Sequence, residues 1–537
     1  MTLSTVLIRL TRLLAILCLF LVPAGQATAD LKIFVTNDVH GHAAEEPAEG
    51  RIGYARLKAA LDAAKAEGHE VYLFDAGDAF SGSAAAQVDH GRSIAELMGL
   101  LNYRVLTPGN HAFDHNEAER NPLYYSETLI KTVRENASGP VDVVAANLTR
   151  HGETVPGLGR DPVVVHDETA DKPDGLRLIV AGVVTPYVRR PSLQASLPGY
   201  DFGLLENPAA TKAKILADLT ASLEEFNRPQ DVTIVLSHLG YPGSDGDRDG
   251  RLVGPDLAAV PNVDFVADGH THEAVPPQKI GEAVYANGGR HLEHFLEITI
   301  GDDGAGTMVL KDFQDVADLT PDPTVVAYLS ELDRRQGLTE VLFETPDAEL
   351  FSDRDLRTDN IALGRLICLA MMKASGADLA LHNVGGIRAG LPGGSVSLRD
   401  LFDVLPFGDE LVSAEMTGEE IEAFLNRGSG HGGRGAPQFY GFLAFAWRGE
   451  DGRPEVAGLR LSDGERLDSN KTYTVALNGF MARNMKLPTK NFGDLVLALR
   501  QVLTADFANF EELRDNRSLL VFESFEEARA AWTEAGP

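Results

Sequence analysis

The sequence predicts a layered α/β fold in two domains behind a removable leader. Three observations predict it: short apolar runs that each end in a polar cluster, helical-looking stretches between them, and a turn-rich joint after residue 318. At 537 residues the chain exceeds what one hydrophobic core fills, so two or three domains are expected.

The leader comes first. Arg9 and Arg12 precede an apolar run at 13–22, and small residues end in Ala27-Thr28-Ala29. A positive start, a short apolar middle and an Ala-x-Ala exit predict a signal peptide over residues 1–29, cut near Asp30. The mature chain is then exported, to a periplasm or beyond. Spanning a bilayer takes roughly 20 apolar residues, so this run is too short to be an anchor and no membrane partner is expected after cleavage. Cys18 leaves with the leader, and Cys368 is left without a partner for a disulfide. The 79 acidic residues outnumber the 48 basic ones, for a net charge of −31. Such a field repels nucleic-acid polymers, and a small phosphorylated metabolite drawn to a local positive site suits it better.

Five apolar runs carry the first domain. Residues 31–35 lead into Thr36-Asn37-Asp38-Val39-His40-Gly41, and 71–74 into Asp75-Ala76-Gly77-Asp78. Residues 103–106 lead into Pro108-Gly109-Asn110-His111-Ala112-Phe113-Asp114. Residues 232–236 lead into Ser237-His238-Leu239-Gly240, and 263–267 into Asp268-Gly269-His270-Thr271-His272. With helical stretches such as 56–65 and 211–225 between them, the runs read as buried strands of an α/β sheet system. Sites in such sheets gather beyond the carboxyl ends of the strands, where all five clusters stand.

Imidazole, carboxylate and amide oxygen suit first-row divalent metals such as zinc or manganese, and the clusters offer no thiolate. Alternation along an extended strand end aims Asp38 and His40 the same way, and likewise His270 and His272. Gly77 lets the chain turn sharply before Asp78, a position suited to a carboxylate shared by two ions. These ordered clusters resemble those of the calcineurin-like metallophosphoesterases, which implies two cations roughly 3.5–4 Å apart that acidify a bridging water, the hydroxide attacking phosphorus in line with the leaving oxygen. No protein nucleophile is needed, so Ser81 and Ser83 are expected to be turn residues.

The ordered set Asp-x-His, Gly-Asp, Gly-Asn-His-x-x-Asp, His and Gly-His-x-His strongly resembles the calcineurin-like metallophosphoesterases. The resemblance implies a four-layer α/β/β/α domain over residues 30–318. It implies that Asp38, His40 and His272 hold one metal, with Asp78 bridging to a second held by Asn110, His238 and His270. It also implies that His111 is the catalytic histidine and Asp114 its orienting carboxylate. Ala112 stands where the family often has Glu.

After the joint, residues 324–335 have the apolar spacing of a helix, so 319–344 reads as a linker with a connecting helix. In the smaller domain expected at 345–537, residues 361–375 read as an amphipathic helix and 377–381 as a strand. The strand leads into His382-Asn383-Val384-Gly385-Gly386-Ile387-Arg388, where backbone amides and a guanidinium can converge on an anion. Arg357-x-x-Asn360, Asn383 to Arg388 and Leu405-Pro406-Phe407-Gly408, in series, look like the carboxyl-terminal domain of the 5′-nucleotidases, including the periplasmic UDP-sugar hydrolase type. That resemblance implies an α/β substrate-binding domain that swings to present a nucleotide to the metals. Arg357 and Arg388 would grip phosphate, with Asn383 nearby, while Phe407 and Phe480 would stack on the two faces of the base. Arg354 reads better as a solvated surface residue.

One departure stands out. Where the family carries Gly-Gly-Asp-Gly and an aromatic to hold the ribose, this chain has Ala482-Arg483-Asn484-Met485-Lys486-Leu487-Pro488. The altered stretch keeps a cyclic nucleotide, a sugar phosphate or another phosphoester open as substrate beside the nucleotides. A catalytically silent metal- or ligand-binding protein is the reading from a different class.

Overall fold

The computed structural model describes residues 30–534 except 119–120, 171, 173–174, 188–196, 227, 229–230, 243–250, 346–359, 428–437, 449–453 and 507–518. The expected leader and both Arg354 and Arg357 therefore lie outside the described residues.

The strands of the first half are β1 (Leu31–Thr36), β2 (Glu70–Asp75), β3 (Val105–Leu106), β4 (Asp142–Val143), β5 (Thr149–Arg150), β6 (Val163–Asp167) and β7 (Arg177–Val184). They continue with β8 (Tyr200–Asp201), β9 (Asp231–His238), β10 (Phe265–Asp268), β11 (Ala274–Ile280), β12 (Ala283–Gly288), β13 (His294–Ile300) and β14 (Gly306–Asp312). One six-stranded sheet has the order β14-β13-β1-β2-β3-β4, a second has β11-β12-β10-β9-β7-β6, and β5 pairs with β8.

Alternation along the strands builds the layers. Leu31, Ile33 and Val35 of β1 meet Leu178, Val180, Ile234 and Leu236 in a core between the sheets. Phe34 faces the other way, toward the helices Gly53–Ala66 and Arg92–Leu100, whose Leu57, Leu61, Ile94 and Leu97 cover the first sheet. On the second sheet Ile179, Ala181 and Val183 turn outward beneath Ile215, Leu219 and Leu223 of the helix Pro208–Phe226. Both faces of these strands are buried, hence their near-continuous apolar sequence. The result is a four-layer α/β/β/α domain. The expected strand at 103–106 is shorter than its apolar run, because Asn102, at φ 60°, is still turning the chain out of the preceding helix.

The connecting helix Pro323–Gln336 is capped by Asp322, which accepts from the backbone of Thr324 and Val325, and it ends at Gly337 in the left-handed region. Then follow β15 (Val341–Thr345), β16 (Leu379–His382), β17 (Gly394–Ser397), β18 (Glu410–Thr417), β19 (Gln438–Tyr440) and β20 (Phe442–Arg448). The last strands are β21 (Pro454–Leu461), β22 (Thr472–Asn478), β23 (Thr489–Asp494) and β24 (Leu519–Phe522). They form a five-stranded sheet β19-β16-β22-β18-β23, a three-stranded sheet β21-β20-β24 and the pair β15-β17. Because β15 pairs with β17, the end of the 319–344 stretch is already built into the second half. The helices Ala362–Ser375 and Leu495–Asp506 pack Leu366, Ile367, Leu499 and Leu503 in that half's core, where Cys368 is also buried. Among the described residues no helix is long and apolar enough to cross a membrane.

Candidate active site

Strands β1, β2 and β3 run parallel, as do β7, β9 and β10, and the loops leaving their carboxyl ends meet. Asp38, His40, Asp78, His270 and His272 all sit at positive φ, at 46°, 48°, 59°, 78° and 59°. For residues with a Cβ such strain costs about 1–3 kcal/mol each and concentrates at functional sites. Hydrogen bonds hold it in place. Asp38 donates its N–H to Gly77 at 2.8 Å and His40 to Asp78 at 2.9 Å, stitching the first two loops together. Buried Asp75 accepts from the Gly77 N–H at 2.9 Å and the Thr36 hydroxyl at 2.7 Å, and burial pushes its carboxyl up to about 7. Gly77 itself sits at φ +104°, and a Cβ there would lie 2.6 Å from the His238 ring.

Two ligand clusters result, Asp38 with His40 and His272, and Asp38 with Asp78 and His238; within each, one ligand atom per residue lies within 4.8 Å of the others. Asp38 Oδ2 accepts from Asn37 Nδ2 and from the backbone of His270, both at 2.8 Å, which fixes the carboxylate. Its other oxygen, Oδ1, is buried without a hydrogen-bond partner, 3.4 Å from His272 Nε2 and 3.8 Å from the Nε2 atoms of His40 and His238. Asn110 Oδ1 is likewise buried and unpartnered. Buried acceptors without donors are costly unless something else satisfies them, and a hard or borderline divalent cation does. The donor set fits two such ions. His270 stands beside His238, ring centroids 5.3 Å apart, and belongs to neither cluster.

The charges are mutually adjusted. Burial would raise the Asp78 carboxyl, but His238, His111 and His40 outweigh it and hold the group well below the usual range. Burial lowers His40 to about 4, and His270 also to about 4, so both are neutral and ready as ligands at pH 7. His238 goes the other way: burial opposes its charge, yet Asp78 and Asp38 lift it to about 10 without a metal. Its Nδ1 faces the Ala76 carbonyl at 2.8 Å and its Nε2 faces Asp78 at 2.8 Å. A protonated Nε2 must give up its proton to become a ligand. Metal loading at pH 7 is therefore expected to release a proton, and apparent affinity to rise with pH up to about 10. Calorimetry in buffers of different ionisation enthalpy measures this, and a buffer-independent heat would rule it out.

His111 Nδ1 meets Asp114 Oδ2 at 2.6 Å, and the His111 backbone N–H donates to Asp78 Oδ1 at 2.8 Å. Both residues line a cavity of about 1190 Å³ that runs from the ligand loops to the second half. Its far wall includes Arg388, whose guanidinium lies 5.4 Å from the Phe407 ring centre. Phe407, 38% exposed, presents a ring to the cavity. Phe480 does not line it and packs instead against the core around Leu477 and Met481. Asn383 is buried, accepting from Asn478 Nδ2 at 2.7 Å. The altered stretch after Phe480 completes the helix Gly479–Met485 and leaves it at Lys486 in the left-handed region, with Arg483 Nη1 bound to Glu410 at 2.8 Å. Ser83 caps the helix Ala84–Val88 and donates to the Gly41 carbonyl at 2.8 Å, as suits a turn residue. Sequence reasoning missed His42, Arg51, His291 and Arg399, which also line the cavity; His42 follows Gly41 and His291 stands in the polar cluster after the apolar run 283–286, whereas Arg51 and Arg399 carry no such signal.

Residues 31–274 match the family described as calcineurin-like phosphoesterase, and 339–487 match the 5′-nucleotidase C-terminal domain. The chain belongs to the calcineurin-like phosphoesterases that carry a 5′-nucleotidase domain. Members of this family are phosphoric ester hydrolases that use divalent metals, and this chain is a hydrolase of that kind. Similar curated proteins include the trifunctional nucleotide phosphoesterase protein YfkN of Bacillus subtilis, 25% identical over 86% of this chain. The match spans only 32% of YfkN's length. Protein UshA of Yersinia enterocolitica is 24% identical, with 85% of this chain and 86% of UshA covered. The crystal structure of the 5′-nucleotidase precursor from Thermus thermophilus superposes with a TM-score of 0.61 at 23% identity, covering 92% of this chain and all of that one.

Proposed function

We propose that this chain, exported behind the leader at 1–29, removes phosphate from small nucleotides, or cleaves nucleotide diphosphates, with two divalent cations. The observation that carries this reading is Asp38, shared by two ligand clusters and holding a buried, unpartnered Oδ1, while its cluster partners His40 and His272 line a cavity that also reaches Arg388 and Phe407. Asp38, His40 and His272 would hold one cation, and Asp78, Asn110, His238 and His270 the other. Such cations supply Lewis-acid charge to phosphoryl oxygens and make water a stronger acid. Asp114 holds the His111 ring through Nδ1, so that Nε2 faces a phosphoryl or leaving oxygen and donates to it when the ring is protonated. Arg388, together with Arg357 outside the described residues, grips the phosphate, and Phe407 stacks on the base. Asn383 supports this wall from beneath, through Asn478.

A second reading is favoured by one observation. Phe480 packs against the core away from the cavity and Arg483 is tied to Glu410, so no described residue at these two positions sandwiches the base from the far side or takes up a ribose. A cyclic nucleotide or a non-nucleotide phosphomonoester then fits as well. Metal-loaded and metal-stripped protein assayed on nucleoside monophosphates, cyclic nucleotides, UDP-sugars and an aryl phosphate separates the readings. No metal-dependent turnover of any of them leaves only a silent binding protein.

Phe407→Ala discriminates further. Losing one stacking face costs about 1–3 kcal/mol, so KM for a nucleotide is expected to rise about 5- to 150-fold while KM for inorganic-like small esters stays put. An equal rise for both substrate types would take Phe407 out of base recognition.

A further inference from the structure

Asp268 belongs to neither ligand cluster, yet it is fully buried at the carboxyl end of β10, between the loops that carry His238 and His270. Its Oδ1 accepts from the backbone N–H groups of Leu239 and Gly240, at 3.1 and 3.2 Å. Its Oδ2 accepts from the Tyr285 hydroxyl at 2.8 Å. These are neutral donors. A carboxyl buried this way is expensive beside an apolar residue of the same size, and packing alone gives no reason for one.

The neighbourhood is shaped around it. A Cβ on Gly254 would lie 2.1 Å from Asp268 Oδ2, and the Gly254 N–H donates to the Gly240 carbonyl at 2.9 Å. Leu239 and Gly240 follow His238 directly, and His270, at φ 78°, follows Asp268 by two residues. One carboxyl thus ties the backbone of the first loop to the root of the second. Asn287 Nδ2 holds the other side of that root through the Gly269 carbonyl at 2.9 Å. The His238 ring, anchored on Ala76 and aimed at Asp78, depends on the backbone behind it being fixed in this way.

We propose that Asp268 and Tyr285 are positioning residues for one cation site of the pair, the one served by His238 and His270. The inference rests on the two-cation reading above. Residues behind metal ligands orient them, and their loss typically lowers metal affinity about 10- to 100-fold.

The test is metal binding by the full chain, measured by titration of manganese into stripped protein, with unfolding followed in parallel. The wild type is expected to bind two equivalents. Asp268→Ala is expected to weaken one of them about 10- to 100-fold and leave the other as it was. Asp268→Asn keeps an oxygen for the Leu239 and Gly240 N–H groups and turns its amide toward the Tyr285 oxygen, so it should restore most of that affinity. Two equivalents of unchanged affinity in Asp268→Ala overturn the proposal, as does an equal loss at both or a failure of Asn to restore. If Asp268→Ala does not fold, Tyr285→Phe decides: it removes one hydroxyl, and an unchanged weaker equivalent overturns the proposal. A wild type that binds fewer than two equivalents fails the two-cation reading instead.

Discussion

A His111→Asn variant is expected to lose about 10²–10⁴-fold in kcat on metal-saturated protein, the range for removing a positioned proton donor. The side chain is the target, because the His111 backbone N–H that steadies Asp78 stays in place. His111 is aimed by Asp114 at 2.6 Å and lies edge-on to the His40 ring, centroids 5.3 Å apart, at the mouth of the ligand loops. Metal content, measured on the same sample, should be that of the wild type. KM should move far less than kcat, since the proton is delivered only as the ester bond breaks. Asp114→Asn should lower kcat by less and in the same direction, because the ring keeps a hydrogen-bonding neighbour but loses its carboxylate. Normal turnover in His111→Asn, with normal metal, would exclude it from the chemistry.

Gly109→Ala is expected to cost at least about 10²-fold in metal-dependent kcat/KM, the size of effect a roughly 1 Å displacement of reacting groups produces. Its Cβ would lie 2.0 Å from Asp78 Oδ1 and 2.8 Å from the Asp78 backbone nitrogen. Neither can give way freely. Asp78 is buried, accepts from the His111 backbone and faces His238 at 2.8 Å, while its own residue is already strained at φ 59°. The forced shift therefore falls on the carboxylate that the second cluster shares with His238. Overpacking of this kind also destabilises by about 1–3 kcal/mol, readable in a urea or thermal unfolding curve. Gly109 is not at positive φ, so backbone strain plays no part and the clash alone is tested. Wild-type metal content and turnover in this variant would mean that Asp78 has more room than the structure gives it.

Much of the first half was legible in the sequence. Runs such as 31–35 and 232–236 are apolar at nearly every position because both faces of β1 and β9 are covered, and this pattern survives in one dimension. The ligand candidates were legible for the same reason, since Asp38, Asp78, Asn110, His238 and His270 each follow such a run. The second half read less well. Phe407 and Phe480 look alike in sequence, each beside a glycine, yet one ring meets the cavity and the other the core. That difference depends on how the helix Gly479–Met485 packs on β18 and β22, which no local pattern encodes. The replacement of the expected glycine loop was visible, but not that Arg483 would be held by Glu410.

The sequence by itself determined which chemistry the chain can attempt. Hard and borderline donors at five strand ends, without a thiolate, are a property of residue type and of the apolar runs before them, both local. Only the tertiary structure decided how those donors meet. His238 reaches Asp78 across 160 residues, and Asp38 is left with one satisfied oxygen and one bare one. The carboxyls of Asp75 and Asp268, which steady the ligand loops from behind, also emerge only there. The reason is that the register between two packed sheets is fixed by the whole core at once. Periodicity tells which way a side chain points; long-range packing tells what it meets.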